Sequence, residues 1–193
     1  SSDLENNIKA TFFVVGNMAE TYPSIVKALN DNGMCILPHT YCHEYKTIYS
    51  STNSYFNDLN KCINSITKIT GKVPPKYTRL PGGSDNQVCS KNILSNIRNN
   101  LNIKGFDYID WNVTSGDAMA NTVATSTIKT NVNNQCSSKK LGVVLMHDCY
   151  YKTTTVEALP ATIKNLKSQG FKFRTFNDLT LEEKENMIRL GIM

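Results

Sequence analysis

Residues 9–16 read KATFFVVG, a short run of apolar, β-branched and aromatic residues that ends at Gly16. This length and composition are typical of a buried β-strand. The next segment has helical spacing and ends at Asn32-Gly33, with an apolar face of Tyr22, Ile25, Val26 and Leu29. A buried strand followed directly by an amphipathic helix predicts the repeating unit of an α/β fold.

The same alternation continues to the end of the sequence. Further strands are predicted over residues 34–37, 76–80, 106–111, 142–146 and 171–176. Helices are predicted over 55–69, 88–100 and 122–133, and two more begin at the capping-box patterns Thr154/Glu157 and Thr180/Glu183. About six β/α units predict a single domain over residues 1–193, either a barrel or an open doubly wound sheet. No glycine-rich loop follows the first strand, which disfavours a dinucleotide fold.

Composition and charge exclude several classes of protein. The net charge of +5 is small and scattered, which argues against a nucleic-acid partner. No apolar run approaches the roughly 18 residues of a membrane span. The start, Ser1-Ser2-Asp3-Leu4-Glu5, carries no secretory signal and is interpreted as a fragment end, so it indicates no localisation. The six cysteines form no C-x-x-C pair and are predicted to be mostly free, buried thiols.

The three histidines of the chain all follow predicted strands. His39 and His43 are four residues apart, so a helical turn would direct both imidazoles the same way. Two such imidazoles can hold zinc or a similar metal, or they can be surface or capping histidines. His147 follows the apolar strand that ends at Met146. It is either a general acid or base, or a core histidine with its hydrogen bonds satisfied.

Two further strand ends carry polar or aromatic residues of interest. Arg79 is followed by Pro81, Gly82 and Gly83, and two glycines let backbone N–H groups approach an oxyanion or simply form a tight turn. Asp110 could orient a histidine. Trp111 could offer a hydrophobic wall to a sugar or acetyl group, or it could be a core tryptophan.

Taken in order, these motifs resemble carbohydrate esterase family 4, the NodB-homology polysaccharide deacetylases. Residues 8–16 resemble the family's second strand, and His39-Thr40-Tyr41-Cys42-His43 matches its H-[ST]-x-x-H metal motif. Residues 79–83 match R-x-P-x-G, residues 107–111 match D-x-x-D-W, and residues 145–147 match L-x-H. The resemblance implies a distorted (β/α) barrel with fewer than eight units, and it covers nearly the whole chain.

The resemblance also implies a reaction, the metal-dependent hydrolysis of acetyl groups on a polysaccharide. A divalent ion, most commonly zinc, would lie on His39 and His43. His147 would protonate the leaving amine, and Asp110 would hold and tune His147.

Further residues take supporting roles under the same resemblance. Arg79 would orient the catalytic carboxylate, and the backbone N–H of Gly82 would complete the oxyanion hole. Many family members carry an aromatic residue at the position of Gly82. Trp111 and Leu145 would line the acetyl pocket.

One family motif, T-F-D-D, does not occur in these 193 residues. It supplies the general base and a third metal ligand, and it lies on a first strand that would precede Leu4. Asp3 falls where the family has a helix and is no substitute. The expectation is therefore an N-terminally incomplete domain that is inactive as it stands, with strand edges exposed to weak self-association.

The Pro-Gly-Gly-Ser turn and the segment Trp111-Asn112-Val113-Thr114-Ser115-Gly116-Asp117 look like a branch common among bacterial cell-wall enzymes. This makes peptidoglycan the first expected substrate, ahead of chitin-like polymers, and implies an extracellular or cell-wall location. Two alternatives stay open: a glycan-binding domain without catalysis, and an O-acetyl esterase acting on xylan-type polymers.

Overall fold

The computed structural model describes residues 6–193 and shows a mixed α/β chain that packs as two compact units. The first unit holds residues 10–110, 175–179 and 193. The second unit holds residues 111–174 and 180–192, together with the described residues before Ala10. Every strand pair in the described part of the chain is parallel, as the β/α alternation predicts.

The first unit contains two of these strand pairs. Strand β1 (Thr11–Val14) pairs with β2 (Cys35–Pro38), and β3 (Tyr77–Thr78) pairs with β4 (Asp107–Tyr108). Its helices are α1 (Gly16–Thr21), α2 (Pro23–Asp31), α3 (Tyr45–Ile48), α4 (Thr52–Thr70) and α5 (Lys91–Ile103).

Helix α4 organises the core of the first unit. Ser51 caps its start by accepting a hydrogen bond from Ser54 N, and Gly71 ends it with a left-handed φ of 72°. One face of the helix is buried, formed by Tyr55, Leu59, Cys62 and Ile66. The first two pack with Ile97 and Leu101 of α5, and the last two pack with residues from α1, α2 and β2. Each large apolar side chain buried here contributes about 1.5–3 kcal/mol.

The second unit is built around one strand pair and two long helices. Strand β5 (Val113–Thr114) pairs with β6 (Val144–Leu145), and α6 (Thr125–Cys136) packs against α7 (Thr153–Ser168). A 3₁₀ turn (Asp117–Met119) follows β5, and α8 (Leu181–Arg189) lies near the end of the chain. The core consists of Val113, Val132, Cys136 and Leu166, with Val144, Met146, Phe171 and Phe173 against it.

Several predicted elements differ in the structure. The strand predicted over 106–111 is shorter in the structure, where only β4 (Asp107–Tyr108) forms, and a separate strand, β5, begins at Val113. Residues 171–176 form no regular strand; the apolar pattern there reflects Phe171 and Phe173 packing on the core of the second unit. The capping box at Thr154 is wrong, because Thr154 lies inside α7. The box of Thr180 and Glu183 is confirmed, with both reciprocal hydrogen bonds present.

The single-domain prediction is not tested by this division into units. Asp3 lies outside the described residues. No helix in the described part of the chain combines the length and the apolar character needed to cross a membrane.

Candidate active site

Residues 39–43 form an irregular loop after β2 and not the helical turn that would direct both imidazoles the same way. Thr40 and His43 have left-handed φ angles of 75° and 55°, which break the helical path. His39 N donates to Val14 O at 2.9 Å and so continues the β1–β2 pairing. The loop nonetheless places the two imidazole rings side by side, with centroids 4.9 Å apart.

Two residues outside the motif hold this loop. The carboxylate of Asp58, on α4, accepts hydrogen bonds from Tyr41 N at 2.5 Å and Cys42 N at 3.3 Å. Gly16 N donates to Thr40 O at 3.0 Å. A Cβ on Gly16 would lie 2.7 Å from Tyr41 Cδ2, so only glycine permits this close approach. The sequence carries no signal for this role of Asp58, which lies among other polar residues of α4, such as Asn57 and Asn60.

The orientation of His39 is set by a backbone carbonyl. Its Nδ1 lies 2.7 Å from Arg79 O. A carbonyl oxygen only accepts, so Nδ1 carries the proton and Nε2 carries the lone pair. Histidines that bind metals typically donate their other N–H to such an acceptor.

The chemistry of these donors fits part of a zinc site. Neutral imidazole nitrogens are preferred zinc ligands, and His39 has the tautomer that a ligand needs. Within residues 6–193 no group of three or more His, Cys, Asp or Glu side chains is placed to hold a metal. His39 and His43 therefore fit as two ligands of an ion whose further ligands come from elsewhere.

Arg79 is almost fully buried beside β4. Its Nε donates to Ile109 O at 2.9 Å and its Nη2 to Asp110 O at 3.2 Å. The guanidinium also lies 4.2 Å from the ring centroid of Phe13. Burial lowers the pKa of Arg79 to about 10, and Asp110 opposes that shift, so the side chain is still cationic at neutral pH.

The turn after Arg79 is built by glycines and locked by side chains. Gly82 and Gly83 have left-handed φ angles of 79° and 89°, and Gly83 N donates to Leu80 O at 2.8 Å. Asn86 Nδ2 donates to Gly83 O at 2.9 Å, and Tyr49 Oη donates to Pro81 O at 2.7 Å. The turn is thus fixed before any ligand arrives, as a preorganised oxyanion site requires.

Tyr45 fills the space beside Gly82. A Cβ on Gly82 would lie 3.2 Å from Tyr45 Oη, and the Tyr45 ring lies edge-on to His43 with centroids 5.6 Å apart. An aromatic side chain at position 82 would therefore compete with Tyr45 for the same space. This explains why glycine is compatible with this loop.

Asp110 completes the locking of the turn. Its carboxylate accepts hydrogen bonds from Ser84 N at 2.9 Å and from Ser84 Oγ. Ser84 O in turn accepts from Arg98 Nη1 at 3.0 Å. Both carboxylate oxygens of Asp110 are thus occupied by Ser84.

In the second unit, His147 is held by a different aspartate. His147 Nδ1 lies 2.8 Å from Asp117 Oδ1, and His147 N donates to Asp117 Oδ2 at 2.7 Å. The Asp117 side chain is about 2% exposed, whereas that of His147 is 38% exposed. A buried carboxylate thus faces one edge of a partly accessible imidazole.

The charge state of Asp117 follows from its partners. Burial would by itself raise the pKa of the Asp117 carboxyl. The hydrogen bonds from the ring and backbone N–H of His147, with smaller help from Ser115, outweigh burial and hold this pKa below its usual value. An ionised carboxylate can only accept, so the proton on the neutral His147 ring lies at Nδ1, and Nε2 carries the lone pair.

The prediction that Asp110 holds His147 is therefore corrected: the orienting carboxylate is Asp117. Asp110 is committed to Ser84, and the chain between the two aspartates contains β5 and a sharp turn at Gly116, with φ of 75°. A signal for Asp117 was present in the sequence, because it ends the segment that begins at Trp111. The D-x-x-D-W match instead assigns the role to Asp110, the aspartate next to Trp111.

The two residues predicted to line an acetyl pocket, Trp111 and Leu145, both lie in the second unit. Trp111 is half-buried just before β5, and Leu145 is half-buried on β6, two residues before His147. A cavity of about 320 Å³ opens next to His147. It is lined by residues 118–121, His147, Cys149, Tyr151 and Lys152.

Comparison with known proteins gives a consistent result. The family model described as polysaccharide deacetylase matches residues 4–104. A peptidoglycan-N-acetylglucosamine deacetylase of Bacillus cereus is 31% identical over 178 residues, which cover 90% of this chain and 62% of that protein. The chain thus spans less than two thirds of the length of this curated relative.

Solved structures agree with this match. The catalytic domain of a peptidoglycan N-acetylglucosamine deacetylase from Eubacterium rectale superimposes with a TM-score of 0.84 at 31% identity, over 93% of this chain and 80% of that one. A polysaccharide deacetylase from Bacillus cereus superimposes with a TM-score of 0.77 at 28% identity, over 92% of this chain and 83% of that one.

Proposed function

The chain belongs to the polysaccharide deacetylase family, and from that premise we propose that it removes acetyl groups from an N-acetylated cell-wall glycan. The observation that carries the proposal is the pairing of His147 with the buried Asp117 carboxylate. This arrangement places an imidazole, with its Nδ1 held by a carboxylate, in the lining of an open cavity. It is the constellation that general acid–base catalysis needs.

In this mechanism His147 is the general acid. Hydrolysis of an N-acetyl group expels an amine, which is a poor leaving group unless it is protonated as the carbon–nitrogen bond breaks. Protonated His147 gives its Nε2 proton to that nitrogen while Asp117 stabilises the imidazolium through Nδ1.

Two further parts of the mechanism belong to the first unit. His39 and His43 would hold a divalent metal, zinc being the best match to their chemistry. When bound, such an ion activates water and polarises the acetyl carbonyl. Gly82, on its locked turn, would offer its backbone N–H to the oxyanion. Arg79, a buried cation in the same unit, would orient the catalytic carboxylate.

The substrate and its surroundings are also part of the proposal. Peptidoglycan is the first candidate, because relatives of this chain are named as peptidoglycan deacetylases. Trp111 and Leu145 would line the acetyl pocket, and the enzyme would act outside the cell or at its wall. The family resemblance predicts a distorted (β/α) barrel of fewer than eight units, and the parallel strand pairs support this architecture. It also predicts weak self-association through exposed strand edges.

Acetate release tests the proposal. We would compare the 193-residue chain with a longer chain that carries a Thr-Phe-Asp-Asp segment upstream, on peptidoglycan, N-acetylglucosamine oligomers and acetylated xylan. Deacetylation by the longer chain, and little by the shorter one, is expected. His147→Ala in the longer chain should lower the rate by about 10²–10⁴-fold, the usual contribution of a general acid. Glycan binding without acetate release from either chain would contradict the proposal and favour a binding domain.

A further inference from the structure

Lys152 is a buried lysine whose ammonium group faces backbone carbonyls. The residue is only 5% exposed and lies at the start of α7. Its Nζ donates to Asp117 O at 2.5 Å and to Ala120 O at 2.6 Å. A buried ammonium is costly unless its hydrogen bonds are made, so this geometry requires both carbonyls to stay in place.

These two carbonyls mark the ends of one short element. The 3₁₀ turn begins at Asp117, and Ala120 caps its C-terminal end. Lys152 therefore fixes the turn that carries Asp117. If the ammonium were removed, the buried carbonyl of Asp117 and the partly buried carbonyl of Ala120 would lose this donor, and the turn would lose its hold on α7.

A second group from the same helix holds the Asp117 side chain. Thr155 Oγ1 donates to Asp117 Oδ2 at 3.1 Å, and Thr155 is buried. Helix α7 thus holds the backbone of Asp117 through Lys152 and its carboxylate through Thr155. The other oxygen, Oδ1, is left for His147.

We propose that Lys152 is a positioning residue for the deacetylase reaction: it fixes the 117–120 turn so that the Asp117 carboxylate keeps the His147 proton on Nδ1. The inference rests on the proposed function for its catalytic consequence. Its structural consequence, the tautomer of His147, does not depend on activity.

The tautomer can be read by ¹⁵N NMR of the imidazole at a pH where the ring is neutral, with His147→Gln used to assign the signal. In the unaltered chain we expect Nδ1–H. In Lys152→Met the Nε2–H form, which a free histidine prefers, should become the major species. Thr155→Val removes only the carboxylate contact and should give a smaller shift in the same direction. Lys164→Met is the matched control, because Lys164 is an exposed lysine on the same helix.

Acetate release by the longer chain provides the second measurement. Lys152→Met should lower kcat about tenfold with KM unchanged, and Lys164→Met should change neither. An unaltered tautomer in Lys152→Met would overturn the inference, whatever Thr155→Val shows. If Lys152→Met does not fold, Lys152→Gln, which also removes the ammonium, is measured in its place with the same expected result. A tautomer change in a protein that releases no acetate would refute the proposed function while supporting the role of Lys152.

Discussion

The two units hold their histidines by different acceptors. In the first unit, His39 Nδ1 faces the neutral carbonyl of Arg79. In the second unit, His147 Nδ1 faces the buried carboxylate of Asp117. A neutral acceptor fixes a tautomer without favouring protonation, which suits a metal ligand. A carboxylate stabilises the imidazolium, which suits a general acid. The acceptor behind each ring, more than the ring itself, separates the two roles.

The strongest way to break this comparison is to neutralise the acceptor of His147. Asp117→Asn keeps the shape but can favour the wrong tautomer, and we expect kcat to fall about 10²-fold or more in the longer chain. Asp31→Asn is the control, because Asp31 is an exposed carboxylate on α2 that pairs with Lys27. Its effect on kcat should be far smaller. Steady-state acetate release measures kcat for the two variants, and equal losses of kcat would contradict the assignment of Asp117.

The next prediction targets the loop of the first unit. Gly16→Ala puts a methyl group 2.7 Å from Tyr41 Cδ2, so the 39–43 loop must shift. We expect zinc affinity to fall at least tenfold and the free energy of unfolding to fall by about 1–3 kcal/mol. Gly142→Ala is the control, since its added Cβ would meet ordinary contacts at 3.5 Å. Calorimetric zinc titration and urea unfolding measure both effects, and unchanged zinc affinity in Gly16→Ala would be evidence against the loop as the metal site.

The pH dependence of stability sharpens the comparison further. The folded pKa of Asp117 lies below its unfolded value, so its contribution is fully present above the unfolded pKa of about 3.9 and is lost as pH falls through the folded pKa. We therefore expect the free energy of unfolding, measured with urea between pH 7 and pH 3, to fall more steeply with falling pH in the unaltered chain than in Asp117→Asn. Parallel curves would mean that Asp117 is not held as a carboxylate.

The smallest expected effect concerns the thiols. The described cysteines are all free, as predicted, but Cys149 is exposed rather than buried, and Cys42 is only partly buried. Burial raises the pKa of Cys35 to about 11 and that of Cys62 to about 12. We expect a thiol reagent at pH 8 to label Cys149 first in the native protein, which peptide mass mapping can check. Early labelling of Cys35 would indicate an opened first unit.

The sequence predicted the order of elements well because buried strands and amphipathic helices leave strong local patterns. Helix α4 and its Gly71 end are examples. It predicted the 39–43 loop poorly, because the left-handed angles of Thr40 and His43 depend on Gly16 and Asp58, which are distant along the chain. Asp117 was missed because the partner of a histidine is set by tertiary packing. Lys152 and Thr155 carry no local signal of what they bind.

The central claim is that His39 is a metal ligand and His147 is not. Zinc titration calorimetry on three proteins tests this claim most directly. We would titrate the unaltered chain, His39→Ala and His147→Ala. The account predicts about one zinc bound by the unaltered chain and by His147→Ala, and at least tenfold weaker binding by His39→Ala. Zinc binding that survives in His39→Ala but is lost in His147→Ala would contradict it.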